Sequence, residues 1–385
     1  TASVGENIVV RMGETTTTAL TPELRLYSPN GILLSSSSGQ AATEVTAQAT
    51  NNGTFLVVAS DLSSGFSGTG NYRLSLAKTG SGLTISSNDE GGALTNGVTY
   101  LATIDTGDID AWTFTANAGE NIVVRMGELT ASLTPHLRLY GPSGALLDSG
   151  TGQAATEVTA RATNSGTFLV IAGDFSAGYS GTGNYRLTLA KTGSAVGVSP
   201  GDEGGSLNGT ATYDGTVDVG DLDVWRFTAC ANDNLVLRMD ELIAGSSLTP
   251  QLRLYGRDGT LLNTISGAST AEISLRAPLS GNYTVVAGDF SSGYAGSGTY
   301  RLTVNGLSDA LRLCIPTVSG TNANLTGIGG LPGASFVLLT TTNVTTAVGQ
   351  WSPILTNQFD QFGVFTYTNS FSPGERQRYF LLRLQ

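Results

Sequence analysis

The chain has one histidine, two cysteines and two lysines, Lys78 and Lys191, in 385 residues. So few lysines, with a net charge of −11 and a pI near 4.5, exclude the cationic surface that a nucleic-acid backbone demands. An acidic surface suits cations, and it also keeps a protein soluble. There is no CxxC and no Cys/His cluster, which speaks against a zinc site. Cys230 and Cys314 remain as one candidate disulfide for an extracellular chain, or as two buried free thiols. No apolar run reaches the roughly 18–20 residues of a membrane-spanning helix. The first residues, Thr1 to Glu6, carry neither a basic region nor an apolar stretch. No signal peptide is therefore visible, as in a processed chain or a cytosolic one.

What the chain has in abundance is glycine, 51 residues, against 13% charged residues. Thr, Val, Tyr and Phe lie between Gly-rich turns, and few positions resemble a helix surface, so strands are expected. Self-comparison finds repeats. Gly5–Glu14 returns unchanged as Gly119–Glu128 and, diverged, as Asn232–Glu241. Leu24–Tyr27 recurs as Leu137–Tyr140 and Leu252–Tyr255, and each copy closes on Tyr-Arg-Leu at Tyr72, Tyr185 and Tyr300. Arg11 to Arg125 is 114 residues and Arg125 to Arg238 is 113, a period the size of a domain. About eight strands per copy alternate apolar and polar residues, one face buried and one wet. The reading is all-β: tandem jelly-roll-like β-sandwich modules at 1–80, 81–193 and 194–306, followed by a smaller immunoglobulin- or fibronectin-like β-sandwich at 307–385.

The first copy is short. Thr1-Ala2 aligns with Thr115-Ala116, and the stretch from Asn88 to Phe114, with its Trp-bearing strand, has no counterpart before it. A sandwich without that strand exposes an apolar groove and unpaired backbone edges. The sequence leaves open a fragment, a processed chain, or a groove filled by a strand from a neighbouring copy.

Two stretches carry a family resemblance. Asn88-Asp89-Glu90-Gly91-Gly92 precedes Gly107-Asp108-Ile109-Asp110-Ala111-Trp112, and Asp202-Glu203-Gly204-Gly205 precedes Gly220-Asp221-Leu222-Asp223-Val224-Trp225. With the closing Gly-x-Tyr-x-Leu strand, residues 1–306 resemble the bacterial pre-peptidase C-terminal domain family, which includes collagen-binding domains. The C-terminal segment is similar to terminal modules of bacterial surface and autotransporter-like proteins. The resemblance implies an extracellular or cell-surface setting and calcium bound by the acidic arm and the Asp-bearing strand. The chain departs from the collagen-binding branch in having no aromatic platform on one strand face.

The residues support the calcium reading independently. Calcium takes six to eight oxygen ligands, and carboxylates brought together repel without a cation. If the arm folds back, Asn88, Asp89 and Glu90 converge with Asp108 and Asp110, and Asp202 and Glu203 with Asp221 and Asp223. The alternative is that Asp, Asn and Gly simply make turns. Glu128, Glu241, Asp174 and Asp289, with Glu14 and Asp61 in the first copy, are a second recurrent acidic set, read as loop-structuring groups first and calcium ligands second. The lone His136 aligns with Glu23 and Gln251, which marks a tolerant surface position and no shared catalytic machinery. The expectation is a non-catalytic extracellular structural protein. It would be a calcium-stabilised filament or fibre subunit that joins copies of itself by strand complementation at residues 1–80. The alternative is a matrix- or polysaccharide-binding region of a larger secreted hydrolase or adhesin.

Overall fold

The computed structural model describes residues 1–16, 20–80, 83–87, 89–130, 132–308, 310–372 and 374–385. The described residues form β-strands, turns and four short 3-10 turns. Every strand pairing in them falls within one of the four expected stretches.

The second module shows the complete pattern. One sheet runs Ala155–Arg161, Asn121–Glu128, Gly183–Lys191, Thr99–Ile104. The facing sheet runs Leu146–Thr151, Pro135–Tyr140, Gly166–Asp174, Ile109–Ala116, Gly91–Ala93. Inward residues of both sheets meet in one core that includes Trp112, Phe114, Met126, Leu137, Phe168 and Tyr185. The third module repeats this arrangement, with Trp225, Met239 and Tyr300 in the matching places. Trp and Met are thus core residues in both.

The first module has two three-stranded sheets. They run Ala42–Gln48, Asn7–Glu14, Tyr72–Lys78 and Leu33–Ser38, Pro22–Tyr27, Leu56–Asp61. Ala2 bridges Gly53 as Ala116 pairs with Gly166, so only the last residue of the Trp-bearing strand has a counterpart. Tyr72 and Leu76 are 53% and 61% exposed, whereas their counterparts Tyr185 and Leu189 are wholly buried. The expected groove is present, lined by side chains that the sister modules keep inside.

Successive modules meet through a joint built twice from the same residues. Arg11 is fully buried. It reaches out of the first module to the carbonyls of Asp108 and Asp174 in the second, at 3.1 Å each. It also pairs with Glu44 at 2.8 Å. Glu44 in turn binds Arg138 of the second module at 2.7 Å, and the Tyr179 ring covers the Arg11 guanidinium at 4.3 Å. Arg125 repeats every contact with Asp221, Asp289, Glu157, Arg253 and Tyr294. Burial alone would raise the Glu44 and Glu157 carboxyls, but the flanking arginines outweigh it and hold both below the usual carboxylate range. Around this polar centre lie Val9 and Ala77 against Ile109, Ala111, Tyr140, Leu169 and Ile171. The second joint places Val123 and Ala190 against Leu222, Val224, Tyr255 and Val286. The backbones touch: a Cβ on Gly13 would lie 2.2 Å from the Thr106 carbonyl oxygen, and one on Gly127 2.3 Å from that of Val219.

The joint corrects two expectations. Strand Pro135–Tyr140 is buried at every position, although its alternation predicts a wet face, because the preceding module covers that face. His136 is accordingly buried, with Phe175 at 4.7 Å between ring centroids, and is no surface position. Its aligned partners Glu23 and Gln251 are buried too. Burial, with Arg138 and Arg11 nearby, pushes the imidazole down to about 4.

The C-terminal stretch forms a smaller two-layer β-structure. One sheet holds Arg312–Leu313, Asn322–Ile328, Thr317–Ser319 and Phe365–Ser370; the other holds Ser352–Gln358, Ser335–Thr341 and Tyr379–Leu384. Phe336, Phe359 and Phe365 fill its core. Cys230 and Cys314 form a disulfide across 84 residues, tying this stretch to the third module.

Replacing Glu157 by Ala leaves Arg125 and Arg253 buried without their shared anion, and should cost about 3–5 kcal/mol at that joint. Calorimetry is expected to show a lowered and broadened transition, with new proteolytic cleavage between residues 191 and 204. Cys230→Ser with Cys314→Ser should cost the C-terminal module about 2–4 kcal/mol, read as a fall in its unfolding midpoint.

Candidate metal centre

A glycine pair brings the acidic arm onto the sheet. Gly91 lies at φ +135°, and a Cβ there would stand 2.4 Å from the Ala111 carbonyl oxygen, so only glycine lets the arm lie flat against its neighbour. The contact is a short parallel pairing, Gly91 opposite Ala111 and Gly92 opposite Trp112. That register sets Asp89 and Glu90 beside Asp110. Gly204 opposite Val224 does the same for Asp202, Glu203 and Asp223.

Carboxylate oxygens of Asp89, Glu90 and Asp110 lie within 4.8 Å of one another, and so do those of Asp202, Glu203 and Asp223. Asp110 is fully buried. One of its oxygens accepts from the Tyr185 hydroxyl at 2.6 Å, and that hydroxyl accepts from the Trp112 indole N–H at 3.0 Å. The other, Oδ1, has no hydrogen-bond partner. Asp223 repeats this with Tyr300 at 2.6 Å and an unpartnered Oδ1. A buried carboxylate oxygen without a donor is costly, and three oxygens converging on one point make a place for a hard cation. Burial, with Asp108, Asp89 and Glu90 nearby, pushes the Asp110 carboxyl up to about 9 despite the tyrosine bond. Asp223 is raised too, and burial lifts Asp89, Glu90 and Glu203 in the same direction.

The other expected ligands are placed elsewhere. Asn88 lies outside the described residues. Asp108 points away from the trio and into the joint, where it accepts from Ser75 at 2.9 Å and pairs with Arg73 at 3.0 Å. Asp221 is buried near Arg186, at 3.9 Å, with one unpartnered oxygen; burial raises its carboxyl to about 7. Asp174 structures its loop, accepting from the backbone N–H of Thr134 and Gly181 at 2.9 Å each and from the Ser176 hydroxyl. Asp289 does the same with Thr249, Gly296 and Ser291. Glu241 holds the backbone N–H and hydroxyl of Ser246, and Glu128 lies at the end of its strand, away from the trio. Sequence reading missed Tyr185 and Tyr300 as the groups that orient the buried aspartates. Their recurrence three residues before the end of each alternating run was the available signal.

Without a cation the fold keeps a proton on Asp110 that the unfolded chain releases near pH 4. Cation-free stability from this group is therefore full below about pH 4 and is lost as pH climbs toward 9. After chelation the unfolding midpoint should be lower at pH 8 than at pH 5.5, and calcium should raise it most at pH 8. Asp110→Asn should remove much of the calcium increment in a melting series.

No family model matches the chain, and no curated protein sequence does. Among solved structures, it is similar to the pre-peptidase C-terminal domain of a collagenase from Bacillus anthracis, with 18% identity over 27% of this chain and 96% of that domain and a TM-score of 0.23. It is also similar to the triple jelly-roll protein of an archaeal virus turret, at 12% identity over 80% of this chain and 81% of that one, TM-score 0.18. A third likeness is to the TIE protein of Bacillus anthracis, at 12% identity and TM-score 0.12, where the match spans 99% of this chain and 63% of that one.

Proposed function

We propose that this chain is a non-catalytic extracellular structural protein, a calcium-stabilised subunit of a bacterial surface filament or fibre that joins its neighbours through the open first module. The observation that carries the reading is the repeated trio of acids with a fully buried, donorless aspartate oxygen, Asp110 in one module and Asp223 in the next. Each trio sits on the arm that links one module to the next. A cation held there would fasten that arm to the Trp-bearing strand and stiffen the connection. The disulfide fits an oxidising compartment, and the edges left unpaired at Tyr72–Lys78 and Leu56–Asp61 are where another chain could add a strand.

Calcium titration by calorimetry should find two sites on the full chain, one lost in Asp110→Asn and one in Asp223→Asn. Electron microscopy with calcium should show linear assemblies that shorten or dissociate with chelator. Absence of calcium binding, with monomers under both conditions, would defeat the proposal.

A further inference from the structure

Two faces of the stack carry joint residues without a joint. On the first module, Arg25, Leu56 and Phe66 stand where Arg138, Leu169 and Tyr179 stand in the second. Tyr179 and Tyr294 take the left-handed conformation, φ 51° and 52°, and cover the arginine of the preceding module. Phe66 holds the same conformation, φ 54°, yet is 73% exposed, and Leu56 is 59% exposed. With no partner module, Arg25 folds back onto its own Glu23 at 2.7 Å. On the third module, Arg238 and Glu272 stand where Arg11 and Glu44, or Arg125 and Glu157, stand in the joints. Both are exposed, 3.3 Å apart.

The third module's face departs from the joint pattern at two places, and both are informative. Asp240 replaces the glycine of Gly13 and Gly127, and Asn305 replaces Ala77 and Ala190. Gly13 is required because its backbone meets Thr106 and Gly107; Ala77 packs in the cluster with Ile109 and Ala111. All four partners belong to the 106–111 segment, of which the described first module has no counterpart. The departures therefore fall only where the first module offers nothing to touch, while Val236, Arg238 and Glu272 keep the part that would meet Leu56, Phe66 and Arg25.

We infer that the free face of the third module docks on the free face of the first module of a second copy. This is a head-to-tail joint in which Arg238 lies under Phe66, as a cation on an aromatic face, and Glu272 takes Arg25 from Glu23. The inference rests on the assembly reading above and specifies its mating surfaces.

Charge reversal on each side tests it, since both residues are exposed and neither change should unfold the chain. Arg25→Glu alone and Glu272→Arg alone should each weaken self-association in calcium by roughly tenfold or more, measured by sedimentation velocity and electron microscopy. Mixing the two variants should restore assembly, because each chain then presents the partner charge to the other at both ends; Phe66→Ala should also weaken it. If the wild type assembles and both single variants assemble equally well, this joint is wrong, and strand addition at the open edges remains. If the wild type stays monomeric, the joint and the assembly reading fall together.

Discussion

A guanidinium buried between two sheets governs how this molecule is put together. Arg11 and Arg125 leave the module that encodes them and complete their hydrogen bonding on carbonyls of the next one. An arginine in that position cannot be left alone in an apolar layer. It needs the carbonyls, the glutamate beneath it and the aromatic ring above it together. That requirement accounts for the left-handed tyrosine in the Ser-x-Gly-Tyr turns and for the second arginine that shares the glutamate. It also accounts for the glycines that let two backbones come into contact.

The acidic trios depend on the same arrangement. The arm that carries Asp89 and Glu90 is the connection between modules, and Asp108, two residues from Asp110, is held by Arg73 and Ser75 of the preceding module. Metal affinity and joint integrity are thereby linked through one short strand start. A module in isolation would keep Asp110 and Tyr185 but lose the neighbour that fixes Asp108.

Much of this was legible in the residues. Repeated strand motifs, a period of domain length and alternating runs lead to tandem sandwiches, and the missing Trp strand leads to exposed Leu74 and Leu76. The Gly-Gly pairs after the acids pointed to the arm lying on the strand. The joint was not legible, because a strand such as Leu137–Tyr140 alternates as though one side were wet, and alternation cannot tell water from a neighbouring module. Arg11 within Val-Val-Arg-Met and Glu44 within Ala-Thr-Glu-Val read as surface charges. Their retention in all three copies, where His136, Glu23 and Gln251 differ, was the overlooked clue. Asp108 was misjudged as a ligand for a related reason: spacing places it near Asp110, while its partners come from another module.

The arginine at each joint grips main-chain oxygens of Asp108 and Asp174, or of Asp221 and Asp289, and every residue type presents such an oxygen. Recognition at those contacts is thus indifferent to side-chain identity. Recombination or drift can alter the receiving module at these points without loosening the grip, so an array of this kind can lengthen, shorten or shuffle its units while its neighbours continue to fit.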